Sequence, residues 1–194
     1  MDLYEQALRR ITRLLARAQK TRLNEPAAVN LATSDGHGRV SSRMVLLKAL
    51  DRRGLVFYTN LLSHKGRQLE RNSNAALCFY WDPFREQVRV EGKISRVSDA
   101  EADAYWAGRP RPSQIGAWAS LQSSPLKDRK ALMSRVRECR EEFKGKPVPR
   151  PAHWTGLRLS PQRIEFWKAD RSRLNARTLY AKRGPRWTLG LLYP

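Results

Sequence analysis

The side chains in this chain that can do chemistry are mostly cations and hydroxyls, and their chemistry is the holding of an anion. Arg43 and Lys48 stand five apart on one apolar run. An odd separation sends two side chains to opposite faces of a regular strand, so a bulge or a strand end must bring both to one ligand. Taken alone, the pair reads more readily as two solvated edge charges. Tyr58 and Thr59 end the next apolar run, where hydroxyl and backbone groups can reach a ligand at a barrel rim. Tyr105 and Arg109 are four apart near the end of a helical pattern, so both can face one pocket. Taken alone, Arg109 reads equally well as a cation at a helix C-terminus. Ser113 begins the next helical stretch, where its hydroxyl and free backbone donors suit an anion. No side chain stands out as an essential general base.

Composition narrows the function classes. The chain has 194 residues, 41% hydrophobic and 29% charged, which fits a soluble globular domain with a real core. It contains no run of about 18 apolar residues that could span a membrane. The start carries Asp2, Glu5 and paired arginines among scattered apolar positions, a helix pattern rather than a signal peptide, so a cytoplasmic location is the default. Three histidines without clustered spacing argue against a protein-built metal site. Cys78 and Cys139 lie far apart, without CxxC spacing, and read as two reduced thiols. The net charge of +20 admits nucleic acid, a membrane surface or small anions. The basic residues are spread from Arg9 to Arg186 and no nucleic-acid motif is readable, so nucleic acid is a poor main partner. Two phosphorylated small molecules are compatible with this charge, which does not by itself select them.

The elements follow from periodicity. Leu3, Ala7, Ile11, Leu14, Leu15 and Ala18 recur at helical spacing and predict an N-terminal helix over about 2–20. Strands are predicted over 28–33, 40–48 and 55–59, with turns at 34–36 and 51–54. Ser63 is placed to cap a short helix through Arg71. Residues 75–81 and 87–97 read as a hairpin across Asp82 and Pro83. Ser98 and Glu101 have capping-box spacing and open a helix through Trp106; residues 112–119 predict another. Residues 125–143 read as the strongest helix, with Leu126, Leu132, Met133, Val136 and Cys139 as its apolar members. After a Pro-rich connection, strands are predicted over 154–159, 163–168, 178–182 and 187–192. Antiparallel-looking strands with helices inserted at about 98–143 point to a mainly β, antiparallel barrel forming a single domain over 1–194.

Four stretches, in order and spacing, resemble the pyridoxamine 5'-phosphate oxidase family. They are Arg43-Met44-Val45-Leu46-Leu47-Lys48; Phe57-Tyr58-Thr59-Asn60 with Ser63 and Lys65; Arg109-Pro110-Arg111-Pro112-Ser113-Gln114-Ile115-Gly116-Ala117-Trp118 with Gln122-Ser123-Ser124; and Ile164-Glu165-Phe166-Trp167 with Arg173-Leu174 and Arg177. The resemblance runs from about Glu25 to Pro194.

The resemblance implies an FMN-binding split barrel of antiparallel Greek-key type, dimeric, with FMN in clefts between two chains. It implies FMN contacts at Arg43, Met44, Val45, Leu46, Leu47, Lys48, Tyr58, Thr59, His64 and Lys65, and at Gln87, Gln122, Ser123, Trp167 and Arg177. It implies substrate contacts at Lys48, Tyr105, Arg109, Ser113, Arg173 and Asn175, with Arg173 lying over the pyridine ring and closing the pocket. The implied reaction is oxidation of pyridoxamine or pyridoxine 5'-phosphate at C4' to pyridoxal 5'-phosphate. O2 is the electron acceptor and H2O2 the by-product; an amine additionally gives ammonia through hydrolysis of an imine.

The departures cluster at the substrate end. Where the family reads Arg-Leu-His-Asp/Glu-Arg, this chain reads Arg173-Leu174-Asn175-Ala176-Arg177. His64 stands where the family usually has Arg, Glu25 where it often has Asp, and Leu191 where it usually has Arg. The family's N-terminal cover looks shortened to nothing before Asp2. Two alternatives stay open: a related FMN oxidase with a changed substrate, such as a phenazine-pathway precursor, or an FMN- or pyridoxal-phosphate-binding protein without turnover.

Overall fold

The computed structural model of the protein describes residues 2–194. Helix α1 (Leu3–Gln19) forms where apolar residues recur on one face, and it buries Ala7, Leu8, Ile11, Leu14 and Ala18. Asp2 caps it by accepting from the Tyr4 N–H at 3.2 Å. The buried face seals a core that includes Val29, Leu31, Phe57, Leu77 and Leu159. Full burial of Ile11 alone contributes about 2–3 kcal/mol.

Among the described residues one nine-stranded sheet forms. Its strands are β1 (Ala28–Ser34), β2 (Val40–Leu46), β3 (Ala49–Asp51), β4 (Gly54–Asn60), β5 (Asn74–Trp81), β6 (Glu86–Arg96), β7 (Trp154–Lys168), β8 (Ala176–Arg183) and β9 (Arg186–Leu192). Every pairing is antiparallel. The path runs β2-β1-β5-β6-β7-β4-β3. Only Leu47 and Lys48 separate β2 from β3, so the two ends of the path meet and the sheet closes on itself. That corner is pinned by Leu47 N–H donating to Ala27 O (2.9 Å) and Lys48 N–H donating to Val56 O (2.8 Å).

Strand β7 divides the sheet. Its first half pairs with β4, its second half with β8, and β6 runs along both. The expectation of two strands, over 154–159 and 163–168, is therefore corrected: they are one strand of 15 residues. Pro161 mimics a break in the sequence because it lacks an N–H. The strand survives it through a register shift beside Gly92, where a Cβ would lie 2.1 Å from Ser160 O.

Helix α2 (His64–Arg71) starts as expected from Ser63, whose Oγ accepts from the Gly66 N–H. Helix α3 (Asp99–Ala107) is capped by Ser98, but the capping box is only half made. The Glu101 carboxylate turns instead to the buried Arg158 guanidinium at 2.6 Å. Helix α4 (Arg111–Ala119) follows, and α5 (Arg129–Glu142) is shorter and weaker than its pattern suggests. Asp128 starts α5 by accepting from the Ala131 N–H at 2.7 Å, which leaves Leu126 outside and exposed. No residue of α5 is fully buried; Val136 and Cys139 lean on a small second core of Trp106, Ile115, Phe143, Val148 and Trp154. No helix among the described residues is long and apolar enough to cross a membrane.

Candidate functional site

A cleft of about 640 Å³ opens between the barrel corner and the α3–α4 layer. Arg43, Lys48, Lys65 and Arg109 all line it, and no Asp, Glu or His does. None of the four cations forms an ion pair among the described residues, although ion pairs are common elsewhere on the surface. Four cations facing one space without a carboxylate raise the local positive potential and favour an anionic ligand.

The corner between β2 and β3 answers the question raised by the odd spacing. Lys48 reaches the cleft from a strand end, not from a bulge. Met44, Val45 and Leu46 line the cleft beside Arg43, whereas Leu47 turns into the barrel core. Arg43 donates from Nη1 to Leu31 O (3.2 Å) and Thr33 Oγ1 (2.6 Å), and from Nη2 to Ser41 Oγ (2.5 Å).

Lys65 is buried in the first turn of α2, surrounded by neutral oxygens. Its Nζ donates to Thr59 Oγ1 (3.2 Å), Ser63 Oγ (3.3 Å) and Gln122 Oε1 (3.2 Å). Burial, with the Arg43 charge adding to it, pushes its pKa down to about 8. Gln122 and Ser123 enter from the loop after α4, and Ser123 holds a left-handed φ of 70°. His64, by contrast, is exposed and points away from the lining.

The opposite end is aromatic. Tyr58 stacks on Tyr105 with ring centroids 3.8 Å apart, and Trp154 continues the stack 5.2 Å from Tyr58. The Arg109 guanidinium lies 4.6 Å over the Trp154 ring. Its Nη2 donates to Ser113 O at 3.3 Å, while its buried Nε–H has no partner among the described residues. A buried donor without a partner costs free energy until a ligand satisfies it. Ser113 lines the cleft, but its backbone N–H is not free as expected: it donates to Pro110 O at 2.8 Å. The tight first turn of α4 spends that donor, leaving the hydroxyl.

The remaining expected residues lie elsewhere on the protomer. Gln87, Trp167 and Arg177 are successive cross-strand partners on β6, β7 and β8. Trp167 lies thirteen positions beyond the cleft's Trp154 on one strand, on the order of 40 Å for a straight path. Arg177 donates from Nε to Glu165 (2.7 Å) and from Nη1 to Tyr193 O (2.9 Å). Burial works to raise the Glu165 carboxyl, but the Arg177 hydrogen bond and the Arg89 charge outweigh it and hold the carboxyl below the usual range. Arg173 is exposed at a left-handed φ of 62°, and Asn175 Oδ1 accepts from the Asp170 N–H at 3.1 Å, tying the loop before β8. The cleft also gains Asn60, Ser120 and Trp154, which periodicity did not single out. Trp154 owes its place to its register opposite Asn60, a non-local pairing with no signal in the sequence.

Residues 15–143 match the family model described as pyridoxamine 5'-phosphate oxidase. Residues 154–194 match a second, described as the pyridoxine 5'-phosphate oxidase C-terminal dimerisation region. A pyridoxine/pyridoxamine 5'-phosphate oxidase of Myxococcus xanthus is 52% identical over 187 residues, covering 96% of this chain and 91% of that protein. One from Alkalilimnicola ehrlichii is 49% identical over 196 residues and covers 100% of both. Among solved structures, PhzG from Burkholderia lata in complex with tetrahydrophenazine-1-carboxylic acid superposes with a TM-score of 0.91 at 36% identity, covering 96% of this chain and 92% of that one. With two family models spanning most of its length and relatives near half identity over nearly all of it, the chain belongs to the pyridoxamine 5'-phosphate oxidase family.

Proposed function

We propose that the protein is an FMN-dependent oxidase that converts pyridoxamine or pyridoxine 5'-phosphate to pyridoxal 5'-phosphate. The observation that carries this reading is the acid-free cleft, with Arg43 and Lys65 near one another and Arg109 set apart over an aromatic stack. Arg43 and Lys65 are close enough for one charge to lower the other's pKa, which suits a single doubly charged phosphate. Arg109, with its unpartnered Nε–H, stands beside Tyr105 and Ser113 and suits a second. A flavin mononucleotide and a phosphorylated pyridine together bring two such groups and two flat rings.

On this reading Arg43, Lys65, Thr59, Gln122 and Ser123 hold the cofactor, together with the backbone from Met44 to Lys48. Lys48, Tyr105, Arg109 and Ser113 hold the substrate phosphate. When bound, the flavin would supply the two-electron acceptor that turns a B6 alcohol or amine into an aldehyde, with O2 reduced to H2O2. The lining offers no carboxylate or imidazole, and burial keeps the Tyr58 hydroxyl protonated by raising its pKa. What these residues of one chain contribute is orientation of the two rings.

Gln87, Trp167, Arg173, Asn175 and Arg177 complete the site only from a second protomer. Their distance from the cleft, and the dimerisation model matched by 154–194, support a homodimer with FMN held between chains. A second reading, a related oxidase with a changed ring substrate, is favoured by one observation: Asn175 is spent on the Asp170 N–H rather than presented to a ligand. Flavin-loaded protein assayed for aldehyde and H2O2 with a panel of phosphorylated and unphosphorylated B6 compounds tests both. Turnover of the phosphorylated pair alone supports the first reading; turnover of neither, with activity on another ring substrate, supports the second.

A further inference from the structure

Gln68, on the inner face of α2, is 5% exposed and makes no contact with the cleft itself. Its side chain nevertheless sits behind Arg43. Gln68 Nε2 donates to Arg39 O at 3.2 Å, and a carbonyl can only accept. The amide oxygen must therefore face the hydroxyls of Thr33 (2.5 Å) and Ser41 (2.7 Å). Arg43 can only donate, and it donates to those same two hydroxyls. Both hydroxyl protons must then go to Gln68 Oε1, so every proton direction in the network is fixed.

This network has a consequence for the guanidinium. Three of its five N–H donors are spent, on Leu31 O, Thr33 and Ser41. The Nε–H and one Nη2–H remain, which is the parallel pair that a phosphate takes side-on. We propose that Gln68 is a positioning residue for the cofactor phosphate: by accepting both hydroxyl protons it locks the end of Arg43 and presents its free edge to the anion. The inference rests on the FMN reading above.

The test titrates flavin-free protein with FMN, read by flavin fluorescence, in Gln68→Met and Ser41→Ala, alone and combined with Arg43→Met. Gln68→Met keeps the chain length and removes the acceptor; it is expected to weaken FMN binding about 10-fold, and Ser41→Ala about 3-fold. Both losses are expected to vanish in the Arg43→Met background, because a positioning residue has nothing left to position. Losses of equal size in both backgrounds, or no loss from either single variant while Arg43→Met alone weakens binding, overturn the proposal. Should Gln68→Met fail to fold, Ser41→Ala, at a half-buried site, decides it by the same criterion. Folded wild-type protein that takes up no FMN would instead overturn the cofactor reading itself.

Discussion

Tyr58 lies flat against Tyr105, with ring centroids 3.8 Å apart and planes 7° from parallel. The residue that allows this is Gly156, which pairs with Tyr58 across β4 and β7. A Cβ on Gly156 would lie 2.8 Å from both Tyr58 Cε1 and Val97 Cγ2. Gly156→Ala must displace the Tyr58 ring and tilt the stack that carries Tyr105. The expected outcome is a loss of about 1–3 kcal/mol in stability and a several-fold rise in KM for a phosphorylated substrate. Thermal melts and steady-state kinetics check it; an unchanged KM would separate the stack from the substrate phosphate.

If Lys65 holds the FMN phosphate as proposed, it is expected to set a pH limit on cofactor capture. Burial, reinforced by Arg43, lowers its pKa to about 8, so the free protein loses this ammonium as pH rises through that value. FMN affinity should be level near pH 7, where its phosphate is already largely doubly charged, and fall up to about tenfold per unit above 8, and Lys65→Met should flatten that alkaline limb at a weaker level. Stability of the flavin-free fold should run the other way. Between about 8 and the ordinary lysine value of 10.5, the unfolded chain holds more protons than the folded one, so raising pH across that window favours folding. Fluorescence titrations and denaturant melts over the same pH range check both signs.

Arg173 is expected to act on turnover, not on cofactor capture. It stands on the loop before β8, exposed and at a positive φ that glycine adopts more readily than arginine. Arg173→Ala and Arg173→Gly should each lower kcat/KM by tenfold or more, on the order of 1.4 kcal/mol, with FMN affinity kept within about threefold. The glycine variant should melt no lower than the alanine variant, since it removes a left-handed cost of about 1 kcal/mol. Full turnover by either variant would remove Arg173 from the reaction.

Much of the fold was legible because it is local. The apolar spacing of Leu3 to Ala18, the Ser63 cap and the Asp51–Gly54 turn each carry their own signal, and each forms as read. What failed was non-local. Pro161 reads as a break until Gly92 is known to lie opposite it. Glu101 has capping-box spacing until Arg158 claims its carboxylate. The cleft was legible in part: Arg43, Lys48, Tyr58, Lys65, Tyr105, Arg109 and Gln122 come together within one protomer. Gln87, Trp167 and Arg177 share a cross-strand row far from it, which no spacing within the chain could reveal.

On the proposed reading this cleft holds a flavin beside a phosphorylated B6 ring. Its most direct test is anaerobic mixing of the flavin-loaded protein with pyridoxamine 5'-phosphate and pyridoxine 5'-phosphate in turn, following the flavin's visible absorbance. Bleaching by at least one of them, recovery of colour on admitting air, and no bleaching by the unphosphorylated compounds are expected. Flavin that stays oxidised with both phosphorylated compounds would contradict the reading.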